Sequence, residues 1–325
     1  LKLIMRVFFD YSIFTLQSFG GVSKYTVKLV ENFSDQVDPL IISLFYKNYY
    51  LKNCRFADKM IFFKKAGPFI KYLNKINEIY FNYKLRTRNP DIIHLSYFNQ
   101  KIFYKSKAKT VITEHDLIKE KFYSEKYKDE IEYKKKLFEK IDQIICVSEN
   151  TKKDLLEEYN IDASKISVIY HGVDKNKNIR ERSLNIRPFI LYVGSRQRYK
   201  NFDNAIKSYA RSNRLKLDFD FVCFGGGNFI KEEEELFKSL SINRDRIHYY
   251  EGDDQDLNYF YSNARIFIFP SLYEGFGMPL LEAMNMQCPI ICSDTSSFPE
   301  IVNDSAILFN PKDIEMLTSK IEKLI

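Results

Sequence analysis

Short runs of apolar residues alternate along the chain with longer stretches in which apolar positions recur at helical spacing. In the first half the strand-like runs are Arg6–Asp10, Leu40–Tyr46, Met60–Phe63, Ile92–Ser96, Thr110–Glu114, Gln143–Ser148 and Ile166–Tyr170. In the second half they are Phe189–Gly194, Asp220–Phe224, Ile247–Tyr250, Ile266–Pro270, Pro289–Ser293 and Ala306–Phe309. The clearest helix follows the first run, where Val22, Tyr25, Thr26, Leu29, Val30 and Phe33 recur at i, i+3, i+4, i+7, i+8 and i+11. Apolar strands alternating with helices predict parallel sheets covered on both faces. The polar, basic stretch Asp174–Arg187 interrupts the alternation, which then restarts, so it reads as a linker between two α/β domains, residues 1–180 and 181–325. Ligands of such sheets bind at the carboxyl ends of the strands, and with two domains the expected place is the cleft between them. A final helix starts near Lys312. No solenoid-length repeat or low-complexity tract is present.

Composition narrows the class. The 325 residues are about twice a typical single-core domain, and 45% of them are hydrophobic, as in globular chains. Five scattered cysteines make no disulfide framework. No stretch approaches the roughly 18 apolar residues of a membrane span. The opening LKLIMRVFFD is too short an apolar segment, and meets a charge too soon, for a signal peptide. The expectation is a cytoplasmic protein, in solution or held at the inner face of the membrane. The net charge of +7 is uneven: residues 1–180 carry 33 Lys and Arg against 22 Asp and Glu, a net +11, and residues 181–325 carry 17 against 21, a net −4. A basic half suits anionic lipid, nucleic acid or a phosphorylated substrate, or is a solvated lysine-rich surface.

The most informative segment is Ile266–Pro289, IFIFPSLYEGFGMPLLEAMNMQCP. An apolar strand ends at Pro270, a loop carries Glu274, Gly275 and Gly277, and Pro279 suits the first position of a helix. Glu282, eight positions after Glu274, is expected in that helix's first turn, facing the loop. Glycines let a ligand approach the backbone, and free N–H groups at a helix start bind an anion. Two carboxylates beside an anion site suit hydroxyl groups. A nucleotide-sugar supplies both, with its pyrophosphate for the amides and its hydroxyls for the carboxylates. The other reading of Glu282 is a helix-start carboxylate favoured by the dipole.

EGFGMPLLE resembles the E-x7-E signature of retaining glycosyltransferases of the GT-B fold, in particular glycosyltransferase family 4, and other segments follow in that family's order. FGGVSKY (Phe19–Tyr25) resembles its N-terminal Gly-rich loop, and TEHDL (Thr113–Leu117) its acceptor-side His segment. ICVSENTKKD (Ile145–Asp154) and VIYHGVD (Val168–Asp174) resemble the elements before the linker, and LYVGSRQRYKNF (Leu191–Phe202) its basic donor-phosphate loop. The likeness spans nearly the whole chain. It implies two Rossmann-like parallel-sheet domains, an acceptor-binding one over 1–180 and a donor-binding one over 181–325.

Residue by residue, the resemblance implies that Glu274 meets donor-sugar hydroxyls and Glu282 the ribose. The backbone N–H groups of Phe276, Gly277, Met278 and Leu280 meet the pyrophosphate. Lys200 and an arginine neutralise the diphosphate as charge develops, with Arg196 matching and Arg198 the alternate. Gly20 and Gly21 open a helix toward donor phosphate or acceptor. His115 lies beside the transferred sugar, and Asp116 orients the acceptor hydroxyl. His94, His171 and His248 read as structural or hinge residues, and Gly225 and Gly226 of FGGGN as weaker donor-side candidates. The implied activity is retaining hexosyl transfer, with mannosyltransferase-like members and GDP-mannose the lean, from a GDP- or UDP-linked donor to a glycan or lipid-linked glycan acceptor in surface-polysaccharide synthesis. No metal or other cofactor is expected. With no placed covalent nucleophile, front-face attack is favoured over double displacement. The resemblance also implies a further helix beyond Ile325. A sugar-nucleotide epimerase of the same fold is the alternative, and a basic nucleic-acid-binding protein a weaker one, since no nucleic-acid-binding signature appears. In Phe62–Arg88, apolar residues interleave with Lys64, Lys65, Lys71, Lys75, Lys84, Arg86 and Arg88. That stretch reads either as a face lying on an anionic membrane or as a core-facing helix with a solvated basic face.

Overall fold

The computed structural model describes residues 4–65, 67–98, 107–175, 178–196 and 198–325. The chain forms two compact units, Leu1–Val147 with Lys152–Ile169, and Ser148–Thr151 with Tyr170–Ile325. The main division falls between residues 169 and 170. Among its described residues, Asp174–Arg187 carries neither helix nor strand.

The first unit is a seven-stranded parallel sheet of β1 (Met5–Phe9), β2 (Val37–Tyr46), β3 (Ala57–Phe62), β4 (Ile92–Leu95), β5 (Lys109–Glu114), β6 (Gln143–Cys146) and β7 (Ile166–Val168). Its order is β3-β2-β1-β4-β5-β6-β7. The helices are α1 (Ser12–Leu16), α2 (Gly21–Glu31), α3 (Tyr49–Asn53), α4 (Ile70–Arg88), α5 (Ile118–Tyr123) and α6 (Lys128–Lys140), with α7 (Glu149–Glu158) joining from Lys152 onward, its first residues being counted with the second unit. Helix α1 was not foreseen because Ser12, Ile13, Phe14 and Thr15 are all buried, so it has no amphipathic stripe to read.

The second unit is a six-stranded parallel sheet, in the order β10-β9-β8-β11-β12-β13. Its strands are β8 (Phe189–Val193), β9 (Asp220–Phe224), β10 (Ile247–Tyr250), β11 (Ile266–Phe269), β12 (Ile290–Ser293) and β13 (Ile307–Phe309). Its helices are α8 (Phe202–Arg211), α9 (Asn213–Asp218), α10 (Lys231–Ser239), α11 (Asp254–Asn263), α12 (Met278–Asn285), α13 (Phe298–Val302) and α14 (Ile314–Leu324). Every residue of β8, β9, β11 and β12 is buried, which is why these strands read as unbroken apolar runs. Alternation divides β8 between two cores. Ile190 and Tyr192 join Phe202, Ile206, Tyr209, Leu317 and Ile321 on one face. Phe189, Leu191 and Val193 join Phe260, Leu280 and Phe298 on the other. Each such side chain contributes about 1.5–3 kcal/mol by leaving water. Without tryptophan, tyrosines take the large interior volumes, and their hydroxyls find acceptors: Tyr192 donates to the Ser195 carbonyl at 2.8 Å and Tyr209 to the Phe219 carbonyl at 2.9 Å. Strand order reverses between β1 and β4 in the first sheet and between β8 and β11 in the second, so the loops after those strands lie at switch points.

Candidate active site

In the second unit the loops after β8 and β11 are tied to each other. Leu272 N–H donates to the Tyr199 carbonyl at 2.7 Å, and Asn201 Nδ2 donates to the Pro270 carbonyl at 3.1 Å. Between them, Lys200 Nζ donates to Glu274 Oε1, which also accepts from Ser271 Oγ at 2.9 Å. The ammonium lies over the Tyr199 and Phe269 rings, 5.4 and 5.5 Å from their centroids. The pair is mostly buried, with 14% and 13% of the two side chains exposed, so its attraction is little screened by solvent.

The Glu274–Gly277 loop has its carbonyls fixed on one side. Ser296 Oγ and Ser297 Oγ both donate to the Glu274 carbonyl, the latter at 3.1 Å. Ser148 Oγ and Thr151 Oγ1, of the same unit, donate to the Gly275 carbonyl at 2.6 and 2.9 Å. Ser297 Oγ also donates to the Phe276 carbonyl at 2.9 Å. Gly277 has φ +98°, a left-handed conformation that favours glycine, and a Cβ there would stand 3.1–3.3 Å from Leu280 and Phe298. Among the described residues nothing accepts from the N–H groups of Phe276, Gly277 and Met278. Three adjacent unpaired amides at a helix start form a concavity for an anion.

Two details of the sequence reading change here. Helix α12 starts at Met278, which puts Pro279, without an N–H, in its second position. Leu280 N–H donates to the Gly277 carbonyl at 2.9 Å, which removes it from the free amides. Glu282 lies beyond the first turn, which carries no acidic residue. The dipole reading of Glu282 therefore fails, because that effect fades within one turn. Its Oε2 instead accepts from Tyr261 Oη at 3.4 Å, and burial, then the Glu282 charge, push that phenol well above its usual pKa.

The two arginines of the basic loop differ. Arg196 Nε donates to Glu233 at 2.7 Å, Nη1 to the Gly225 carbonyl at 3.1 Å, and Nη2 to the carbonyls of Gly227 and Asn228 at 2.7 and 2.9 Å. Its guanidinium lies 4.8 Å from the Phe229 ring centroid, and only 4% of the side chain is exposed. Arg196 thus pins the FGGGN loop to the loop after β8. Gly226 lies so close to that loop that a Cβ would stand 2.7 Å from the Gly194 carbonyl. Arg198 is exposed and makes no ion pair with the described residues.

In the first unit the switch point is built on Asp10, fully buried at the end of β1. It accepts from Ser12 Oγ, from Ser12 N–H at 3.0 Å and from Ser96 N–H at 2.5 Å, which joins the ends of β1 and β4. Burial raises its pKa. Gly20 caps α2, and a Cβ there would collide with the Gln17 side chain, whose Oε1 accepts from Ser23 N–H at 3.3 Å. Gly21 is the first helical residue. The Tyr25 ring stands edge-on to His115 at 4.9 Å, and its hydroxyl meets Thr113 Oγ1 at 3.2 Å. Thr113 Oγ1 in turn meets His94 Nε2 at 3.0 Å, and burial lowers the His94 pKa to about 4. Asp116 Oδ1 accepts from Ile118 N–H at 3.0 Å.

The loop carrying His115 and Asp116 is held from below. Lys134 Nζ on α6 lies 2.7 Å from Glu114, the residue before His115, and 2.7 Å from Glu120 on α5. Tyr159 Oη donates to Glu120 at 2.6 Å, and the ammonium lies 4.7 Å from the Phe98 ring centroid. One buried cation thus joins the two ends of the loop. Burial pushes the Glu114 pKa up to about 8 against the pull of Lys134. Neither this clamp nor the hydroxyls behind residues 274–276 was foreseen, although SSF at Ser296–Phe298 and the register of Lys134 with Leu137 and Phe138 signalled them.

The architecture defines a class first. Two doubly wound parallel sheets, each with its loops at a switch point, are the GT-B glycosyltransferase fold. The chain superposes on the crystal structure of Anabaena Alr3699/HepE in complex with UDP and glucose with a TM-score of 0.74, covering 98% of this chain and 89% of that one at 13% identity. The chain belongs to the glycosyltransferases: a profile described as Glycosyltransferase Family 4 matches residues 19–177, and one described as Glycosyl transferases group 1 matches residues 174–325, so the two together cover residues 19–325. It is 27% identical over 212 residues to "O-antigen chain mannosyltransferase B" of Escherichia coli, across 60% of this chain and 55% of that protein. It is 29% identical over 220 residues to "O-antigen chain mannosyltransferase RfbU" of Salmonella typhimurium, across 66% of this chain and 60% of that protein. The matches therefore span less than two thirds of either relative.

Proposed function

We propose that this chain is a retaining hexosyltransferase that moves a sugar, mannose on the names of its relatives, from a GDP- or UDP-linked donor to a glycan or lipid-linked glycan acceptor of a surface polysaccharide. The observation that carries this reading is the row of unpaired amides at Phe276, Gly277 and Met278 beside the Lys200–Glu274 pair. A nucleoside diphosphate satisfies the amides. Its negative charge draws Lys200 from Glu274, and the freed carboxylate accepts from a sugar hydroxyl. Glu282, held by Tyr261, takes the ribose hydroxyls. The amides and Lys200, with the exposed Arg198, stabilise charge on the departing diphosphate as the glycosidic bond loosens. The acceptor hydroxyl then attacks from the face that the diphosphate leaves, which keeps the anomeric configuration, and its proton passes to the leaving phosphate oxygen. On the family resemblance, His115 and Asp116 of the first unit act on the sugar and the acceptor hydroxyl. No helix among the described residues is long and apolar enough to cross a membrane.

A thermal-shift panel of GDP, UDP, ADP and their mannose, glucose and galactose conjugates tests the donor half of this reading. Stabilisation by GDP or UDP, reduced by Glu282→Ala, is expected. No shift with any nucleotide up to millimolar concentration would remove the assignment.

A further inference from the structure

Helix α4 buries Asn77, Phe81 and Leu85 against the first sheet. Asn77 fixes it there, accepting from Phe45 N–H and donating to the Phe45 carbonyl, each at 2.9 Å. The opposite face is not the polar surface of an ordinary amphipathic helix. Phe69 at its N-cap, then Tyr72, Ile76, Ile79 and Tyr83, follow one another three or four positions apart and are 43–71% exposed. At 100° per residue they form one continuous apolar stripe. Lys71, Lys75, Arg86 and Arg88 on the same helix are exposed, as are Lys64 and Lys65 just before it. Glu78 is the helix's one acidic residue, and it is paired with Lys75 at 3.1 Å. Edge strand β3 adds Met60, 69% exposed, on the face where Asp58 meets Tyr80 and Lys84 of α4.

An exposed stripe of this length needs a cover. A second copy of the chain, meeting this face by two-fold symmetry, would bring its basic rim against the same rim, with two poorly matched charge clusters. An anionic lipid bilayer complements both parts: headgroups meet the lysines and arginines, and the acyl boundary receives the aromatic and aliphatic stripe. We infer that the exposed face of α4, Phe69 to Tyr83 with its basic rim, is the surface by which this protein docks on an anionic membrane. This deepens the proposed function, since a docked enzyme meets a lipid-linked acceptor in two dimensions. It rests on that reading only for its purpose, because docking itself needs no donor and no reaction.

The test is flotation of the full chain with vesicles of phosphatidylcholine alone and with about one third phosphatidylglycerol. Co-flotation with the anionic vesicles, weakened by 0.5 M salt, is expected. Neutralising Lys71 and Lys75 to Gln should lower partitioning by about fivefold per charge. Ile76→Ser/Ile79→Ser keeps every charge and should abolish flotation even at low salt. All these positions are exposed, so melting temperature should not move, and transfer to a water-soluble acceptor should remain at the parental rate. Absence of flotation on anionic vesicles overturns the proposal, as does equal binding to neutral ones. It is also overturned by a concentration-dependent dimer in light scattering that Ile76→Ser/Ile79→Ser dissolves, because the stripe then belongs to a second copy. None of these results bears on whether the protein transfers sugar.

Discussion

Replacing Lys134 by methionine tests the clamp under His115. Met preserves most of the side chain's volume and its contact with Phe98 and Phe138 but removes the ammonium. Glu114, Glu120 and Lys134 are 1%, 2% and 6% exposed. Two buried carboxylates would be left facing each other with no cation between them. Removing one partner of a buried ion pair costs about 3–5 kcal/mol, mostly the penalty of the stranded charge. In a unit of this size, each kcal/mol moves the melting temperature by about 2–4 °C, so Lys134→Met should lower the first unit's transition by roughly 6–20 °C at pH 8. The pH dependence has a definite sign. Burial raises the Glu114 pKa to about 8, so its stabilising contribution is complete at acid pH and is lost as pH rises through that value. Glu120 opposes it: despite burial, Lys134 and Tyr159 hold its pKa below the usual range, and that contribution needs the cation. Without Lys134 both carboxylates favour the protonated form, so the deficit of the variant should shrink as pH falls from 8 to 5. A neutral triple variant, Glu114→Gln/Glu120→Gln/Lys134→Met, should regain most of the lost stability. Calorimetry across pH 5–8 reads all three. A melting point within about 2 °C of the parent at pH 8, or a deficit that grows toward acid, would refute the clamp.

Other consequences separate binding from folding. Ser297→Ala frees the Glu274 and Phe276 carbonyls from one hydroxyl and should raise the donor KM about 5- to 30-fold, the effect of about 1–2 kcal/mol, with Ser297→Thr recovering part of it. The two arginines should part company. Arg196→Ala leaves Glu233 and three loop carbonyls without their donor and should lower the melting temperature, whereas Arg198→Ala should leave it unchanged and weaken nucleoside diphosphate binding in calorimetric titration. Gly277→Ala puts a Cβ into a left-handed backbone beside Leu280 and Phe298 and should destabilise the second unit by about 1–3 kcal/mol in urea unfolding.

The strands were legible because both faces of each parallel sheet are covered, and burial on two sides writes unbroken apolar runs such as FILYV and IFIF into the sequence. The junction of β11, the Glu274–Gly277 loop and α12 was legible because a tight strand-to-helix turn with a left-handed residue favours Gly and a helix start favours Pro, both written into EGFGMP. What the chain does with its cations was not legible. Lys134, Lys135 and Lys136 look alike in a row, and only the helical phase that puts Lys134 with Leu137 and Phe138 makes it a buried one. Arg196 and Arg198 lie two residues apart, yet one is consumed by Glu233 and by loop carbonyls far along the chain, contacts that local sequence does not encode. The α4 stripe was seen as mixed apolar and basic. Which side faces the core depends on Asn77, a polar residue whose burial rests on the Phe45 backbone.

The central claim is that the Glu274 loop holds a nucleotide-sugar from which a hexosyl group passes with retention. It is met most directly by NMR of the product formed from an α-linked GDP- or UDP-sugar and a saccharide acceptor, with the parent and Glu274→Ala in parallel. An α-linked product from the parent, and none from a folded Glu274→Ala protein, is the predicted result. A β-linked product, or undiminished transfer by Glu274→Ala, would contradict it.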